Sequence, residues 1–195
     1  TRPRRFGKTT NLTMLDAFFN IEYKGNTWFD GLEISKHPEF DSYRNAFPVI
    51  NLNLKEVKAD DFDTFLGNLK EVVLESFKMH AYLLESPSLM RDERKLFDDL
   101  MDGSIDKSQL IFSIKKLSKM LERHHGKKVI ILIDEYDRAV SDAFGSESHR
   151  PMMDLIGGLL GSCLKNNDSL QMAYVTGIMQ IAKESIFSDL NNIRV

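Results

Sequence analysis

The chain has 195 residues, 42% of them hydrophobic and 28% charged, with a formal net charge of −3. That length suits one domain over 1–195 with a substantial core, and that charge excludes a global electrostatic attraction to nucleic acid or to an anionic membrane. A single cysteine, Cys163, excludes an intrachain disulfide, and no apolar run approaches the ~18–20 residues of a membrane span. No signal peptide is visible, so the cytoplasm is the expected compartment. Cys163 itself lies in an apolar run and reads as a core residue.

The chain opens Thr1-Arg2-Pro3-Arg4-Arg5-Phe6-Gly7-Lys8-Thr9-Thr10. Gly-Lys-Thr at the start of a helix is the second half of a P-loop. There, backbone N–H groups and the helix N-terminus hold phosphates, the lysine reaches the β/γ oxygens and the hydroxyl binds Mg²⁺. The consensus places a glycine five residues before Gly7, where this chain has Arg2. The chain does not begin with Met and opens inside the loop, so the expectation is a piece of a longer protein whose loop-feeding strand lies upstream.

Lys8 to Phe19 carries Leu12, Leu15 and Phe19 at helical spacing. Residues 20–47 are mixed and loop-like, punctuated by Gly25, Gly31 and Pro38. Pro48 to Leu54 reads as a strand, with 50, 52 and 54 apolar against Asn51 and Asn53. Asp60 or Asp61 then caps a long helix reaching about Glu85 through Phe65, Leu69, Val73 and Phe77. A short helix is expected within 88–103, and an amphipathic one from Ser108 to about His125, stopped by Gly126. Val129 to Ile133 is a continuous apolar run ending in Asp134-Glu135, which predicts a strand buried on both faces. Residues 138–150 read as a polar loop. Pro151 starts a helix through Leu155, Ile156 and Leu159. Leu170 to Val175 is the last strand, stopping at Thr176-Gly177, with a short helix near 181–187. Strands alternating with helices predict an α/β fold with a largely parallel sheet.

The acids at the tip of the apolar strand are the partner the opening needs. Asp134 is placed to hold Mg²⁺ from the side opposite Thr9, and Glu135 to polarise an attacking water. A lysine at a helix N-terminus is unfavourable unless an anion neutralises it, which supports a phosphate at Lys8. The histidines 37, 80, 124, 125 and 149 show no metal spacing, and His124-His125 read as residues favoured by the dipole of a helix C-terminus.

Arg2 to Thr9, Ile133-Asp134-Glu135-Tyr136-Asp137, and Thr176-Gly177 with 183–188 and 190–192 together resemble the AAA-ATPase-like family. The resemblance implies a three-layer P-loop NTPase of the additional-strand class, with sheet order 5-1-4-3-2 and 48–54 as the inserted strand. Its first, central strand would lie upstream of Thr1. It implies ATP and Mg²⁺ as cofactors, with Arg4, Arg5, Phe6, Gly7, Lys8, Thr9 and Thr10 around the nucleotide. Thr9 and Asp134 would hold the metal, and Glu135, Lys8 and Thr176 would act in catalysis, Thr176 at a sensor position reading the γ-phosphate or its water. Arg138, Arg150 and Arg194 are all candidates for an arginine finger, and Asp137 for a supporting acid or a helix cap. The family's usual partner is a C-terminal PD-(D/E)XK nuclease-like domain, with nucleic acid and an oligomer as further expectations and no membrane. No nuclease constellation is identifiable in this chain. Two other functions stay open: a nucleotide-gated binding or scaffold module with negligible hydrolysis, and a small-molecule P-loop kinase, against which stand the paired acids and the lack of an Arg-rich lid.

Overall fold

The computed structural model describes residues 7–57, 59–137 and 148–177. Helix α1 (Lys8–Phe19) and a single turn, α2 (Phe40–Tyr43), precede strand β1 (Val49–Asn53). Three helices follow: α3 (Phe62–Met79), α4 (Arg91–Met101) and α5 (Lys107–His125). Strand β2 (Val129–Asp134), helix α6 (His149–Leu164) and strand β3 (Leu170–Val175) complete the described chain. The anticipated helix near 181–187 lies outside the described residues, as does most of the loop 138–150.

Capping chemistry sets the helix starts. Asp61 accepts from the Thr64 amide at 2.9 Å to open α3, and Asp106 and Gln109 cap each other's backbone at the start of α5. The expectation of one helix to about Glu85 is corrected, because α3 ends at Met79 and Ala81–Glu85 is a 3₁₀ segment. The His80 amide bonds the Phe77 carbonyl at 3.0 Å and the Leu83 amide bonds His80 at 3.0 Å, a three-residue step that tightens the turn. The cause is the His80 side chain, which is buried, bonded to the Val49 backbone, and 3.3 Å from the Tyr82 hydroxyl through Nδ1. Helix α6 begins two residues before Pro151, which sits inside the first turn, where an amide has no intrahelical acceptor to lose.

The strands form a parallel sheet in the order β1-β2-β3. Val49 to Asn53 pair with Ile130 to Asp134, and Ile133 pairs with Val175. Alternation sends Ile50, Leu52, Ile131 and Ile133 into a core with α3, α5 and α6. Val49, Ile130 and Leu132 face the other way, onto α1 and the aromatic cluster of Phe18, Phe19, Phe40 and Phe47. Both faces of β2 are therefore covered, which is why its apolar run is unbroken. Each such aliphatic side chain removed from water contributes roughly 1.5–3 kcal/mol. Cys163 is fully buried on α6, where loss of water pushes its thiol up to about 12, in keeping with a core residue.

The two outer strands end differently. The outward carbonyl of Asn51 on β1 accepts from the Ser76 hydroxyl at 2.8 Å, and His80, one turn on along α3, takes the Val49 backbone. On β3, Thr176 points its amide and carbonyl at β2 and the following loop. By strand alternation Ala173 and Val175 turn theirs outward. An open groove of about 780 Å³ lies beside that edge, between Met172 and Tyr174 of β3 and Phe18, Phe19, Phe40 and Tyr43.

Of the last two residues of α5, His125 departs from expectation. His124 Nδ1 lies 2.8 Å from the Ser86 hydroxyl and His125 Nε2 lies 2.8 Å from that of Tyr82. Burial, then the neighbouring His124, lowers the pKa of His125, so it is held neutral as a hydrogen-bonding ring rather than as a cation on the helix dipole. Among the described residues no helix is long and apolar enough to cross a membrane.

Candidate functional site

Gly7 precedes α1 with φ of 69°, a left-handed conformation in which a Cβ is strained. It turns the chain so that Lys8, Thr9 and Thr10 form the first turn of the helix, with the Asn11 amide closing on the Gly7 carbonyl at 2.9 Å. Helix α1 lies over the sheet face that carries Ile130 and Leu132. Asp134 has the same parity on β2, so its side chain emerges on that face at the C-terminal end of the strand.

The two sequence-distant halves meet there. The Thr9 hydroxyl donates to Asp134 Oδ2 at 2.6 Å, across 125 residues of chain. The Thr176 hydroxyl, at the tip of β3, donates to Asp134 Oδ1, and the Glu135 amide donates to the same oxygen at 3.0 Å. Asp134 is only 6% exposed, and its burial is tolerated because both carboxylate oxygens have donors.

Glu135 adopts φ of 53°, rare for a residue with a side chain. Its Oε2 is buried with no hydrogen-bond partner among the described residues. The next residues, Tyr136 and Asp137, are buried against Gly177, where a Cβ would come within 2.6 Å of the Tyr136 ring and 2.7 Å of Asp137 Oδ1. Close approach, not a turn, requires glycine here.

Of the anticipated site residues, the structure thus brings together Thr9, Asp134, Glu135 and Thr176. Gly7, Lys8 and Thr10 stand on the adjoining helix start, with Thr10 exposed. Arg4, Arg5 and Phe6 lie outside the described residues, as do Arg2, Arg138, Arg194, 183–188 and 190–192. Arg150 is exposed in the first turn of α6. Among the described residues no cluster of three His, Cys, Asp or Glu side chains could hold a metal by itself. A site built from one carboxylate and one hydroxyl instead suits a cation that brings phosphate and water ligands with it.

The AAA-ATPase-like family, described as predicted AAA-ATPase, matches residues 1–187. The chain belongs to this family. Membership points to nucleotide use and to ATP binding in particular. An uncharacterized protein in the vnfD 5′ region of Azotobacter chroococcum mcd 1 is 26% identical to this AAA-ATPase-like chain over 196 residues. The match covers 99% of the chain and 32% of that relative, so the chain spans about a third of its length. No solved structure matches.

Sequence reasoning did not foresee the Thr176–Asp134 bond or the packing of Gly177 on Tyr136. Both connect strand tips about forty residues apart. The only signal for them was that two polar strand ends, Asp134-Glu135 and Thr176-Gly177, follow two strands of matching length.

Proposed function

We propose that this chain is a P-loop ATPase domain: it binds ATP with Mg²⁺, hydrolyses it, and drives a conformational change in an attached domain or partner. The observation that carries the reading is the Thr9–Asp134 hydrogen bond, which unites the Gly-Lys-Thr helix start with the acidic strand tip. Thr9 and Asp134 present hard oxygen donors, so they fit Mg²⁺, which when bound neutralises charge on the phosphate oxygens. The amides of the first turn and the Lys8 ammonium hold the phosphates, an assignment favoured by the helix N-terminus. Among the described residues Glu135 has a buried carboxylate oxygen with no hydrogen-bond donor. It would orient a water and take its proton as the water oxygen bonds the γ-phosphorus and the bond to the β,γ-bridging oxygen breaks, releasing ADP and phosphate. Arg4, Arg5 and Phe6 enter the proposal as nucleotide-binding residues on the family resemblance alone.

The finer architecture follows the same reading. The observed order of 49–53, 129–134 and 170–175 is compatible with the 2-3-4 run of a 5-1-4-3-2 sheet. The outward edge of β3 and the aromatic groove beside it suit the strand that feeds the loop. A nuclease-like C-terminal domain, a nucleic-acid partner and an oligomer belong to the proposal only as the family's usual context.

The test is ATP binding and turnover by the full-length protein. Glu135→Gln is expected to lower turnover by at least about 10²-fold with binding retained, and Lys8→Ala to abolish binding. No ATP binding by the unaltered protein, or unchanged turnover in Glu135→Gln, would sink the proposal. Tight binding with turnover at the uncatalysed background would favour a nucleotide-gated switch instead.

A further inference from the structure

We infer that Thr176 is a positioning residue for Asp134 and does not read the γ-phosphate; the inference rests on the nucleotide site proposed above. A threonine hydroxyl has one proton to donate. Here that proton goes to Asp134 Oδ1. The oxygens of a γ-phosphate are acceptors, so a hydroxyl already committed to a carboxylate has nothing left to offer them.

The consequence falls on Asp134. Its Oδ1 accepts from two donors, the Thr176 hydroxyl and the Glu135 amide, which occupies the lone pairs of that oxygen. Oδ2 faces Thr9 at 2.6 Å and is the oxygen left for a cation. The clasp therefore fixes both the rotation of the carboxylate and which oxygen is presented, making Asp134 a one-oxygen ligand. A carboxylate at the end of a strand would otherwise turn about two side-chain bonds.

Thr176 is itself held firmly enough to do this. Its amide bonds the Ile133 carbonyl at 2.8 Å, and its carbonyl accepts from Tyr136 at 3.2 Å. Gly177 then seats against Tyr136 and Asp137. The backbone of Glu135 shares the task, because its left-handed φ accompanies an amide turned back onto the preceding side chain. The tip of β3 thus sets the orientation of the acid on β2, and a shift of one strand tip against the other would alter metal binding before it touched the phosphates.

The experiment uses full-length protein, Mn²⁺ in place of Mg²⁺ and ADP as the nucleotide. The Mn²⁺ concentration for half-saturation is read by electron paramagnetic resonance, and nucleotide affinity is measured separately in EDTA. Thr176→Val, which keeps the shape and removes the hydroxyl, is expected to raise the half-saturating Mn²⁺ by about 10–100-fold. Affinity in EDTA should stay within about two-fold, and Thr176→Ser should restore the metal response. If Thr176→Val is unfolded by circular dichroism, Thr176→Ala takes its place with the same expectation. An unchanged Mn²⁺ half-saturation in the folded variant overturns the clasp alone, most directly if that variant also loses discrimination between ATP and ADP. Unaltered protein that binds no nucleotide, with or without metal, overturns the site and the clasp together.

Discussion

Gly177 shows how much one absent methyl group decides. A Cβ there would meet Tyr136 Cε1, Asp137 Oδ1 and Tyr136 Cδ1 at 2.6, 2.7 and 2.9 Å, and both neighbours are buried. Such overpacking typically costs about 1–3 kcal/mol. Gly177→Ala is expected to lower the melting temperature by roughly 5 °C, using about 2–4 °C per kcal/mol for a chain of this size. Scanning calorimetry checks it, and an unchanged midpoint would show that the loop yields freely. The glycine was legible in the sequence only as a strand stop. The reason for it was not, because the residues it must avoid stand forty positions earlier and no local pattern connects them. Gly7-Lys8-Thr9 and Asp134-Glu135 were legible for the opposite reason: each carries its chemistry in consecutive residues. What joins them is a hydroxyl meeting a carboxylate, which spacing alone does not show.

At the scale of elements, the junction of α3, the 3₁₀ segment and α5 depends on three neutral rings. His80 Nδ1 faces Tyr82 Oη, which faces His125 Nε2. Donor counting gives one consistent arrangement: His125 donates to Tyr82, Tyr82 donates to His80, and His80 donates to the Val49 backbone. Burial pushes His80 down to about 4, partly opposed by its bond to the Val49 backbone, and protonating His125 beside it would lower it further. Burial, then the charge of Glu22, raises Tyr82 and keeps it protonated. His80 is thus depressed below its ordinary 6.5, so the unfolded chain takes up its proton first. The stabilisation is complete above about 6.5 and is lost as the pH falls toward 4, in total about 3 kcal/mol. Urea unfolding between pH 7 and pH 4 checks this, with His80→Gln as the non-titrating reference. The reference should be weaker at neutral pH and show a smaller loss on acidification, and parallel profiles would remove His80 from the account. Apolar periodicity made α1, α3, α5 and α6 legible as helices. It could not show where α3 stops, since Leu83 continues the apolar pattern and the break comes from a buried imidazole seeking partners.

At the scale of the whole molecule, β3 is an outer strand of the sheet among the described residues. If the proposed sheet order holds in the full-length protein, the amides of Ala173 and Val175 pair with a further strand. Their hydrogen exchange should then be slowed at least about 10²-fold relative to the isolated chain of 195 residues. Equal exchange in both would contradict the extended sheet. The order of the three described strands was legible only through the family resemblance, because alternation tells which face a residue takes but not which strand lies beside it. The opposite flank has a different lesson. Ser76 and His80 bond the outward backbone of Asn51 and Val49 on β1, and they come from a helix that also anchors the main core. A neighbouring chain seeking to extend the sheet by stacking against β1 would first have to displace two seated side chains from a packed helix. Among the described residues, β1 is therefore the less ready of the two outer strands to accept another chain.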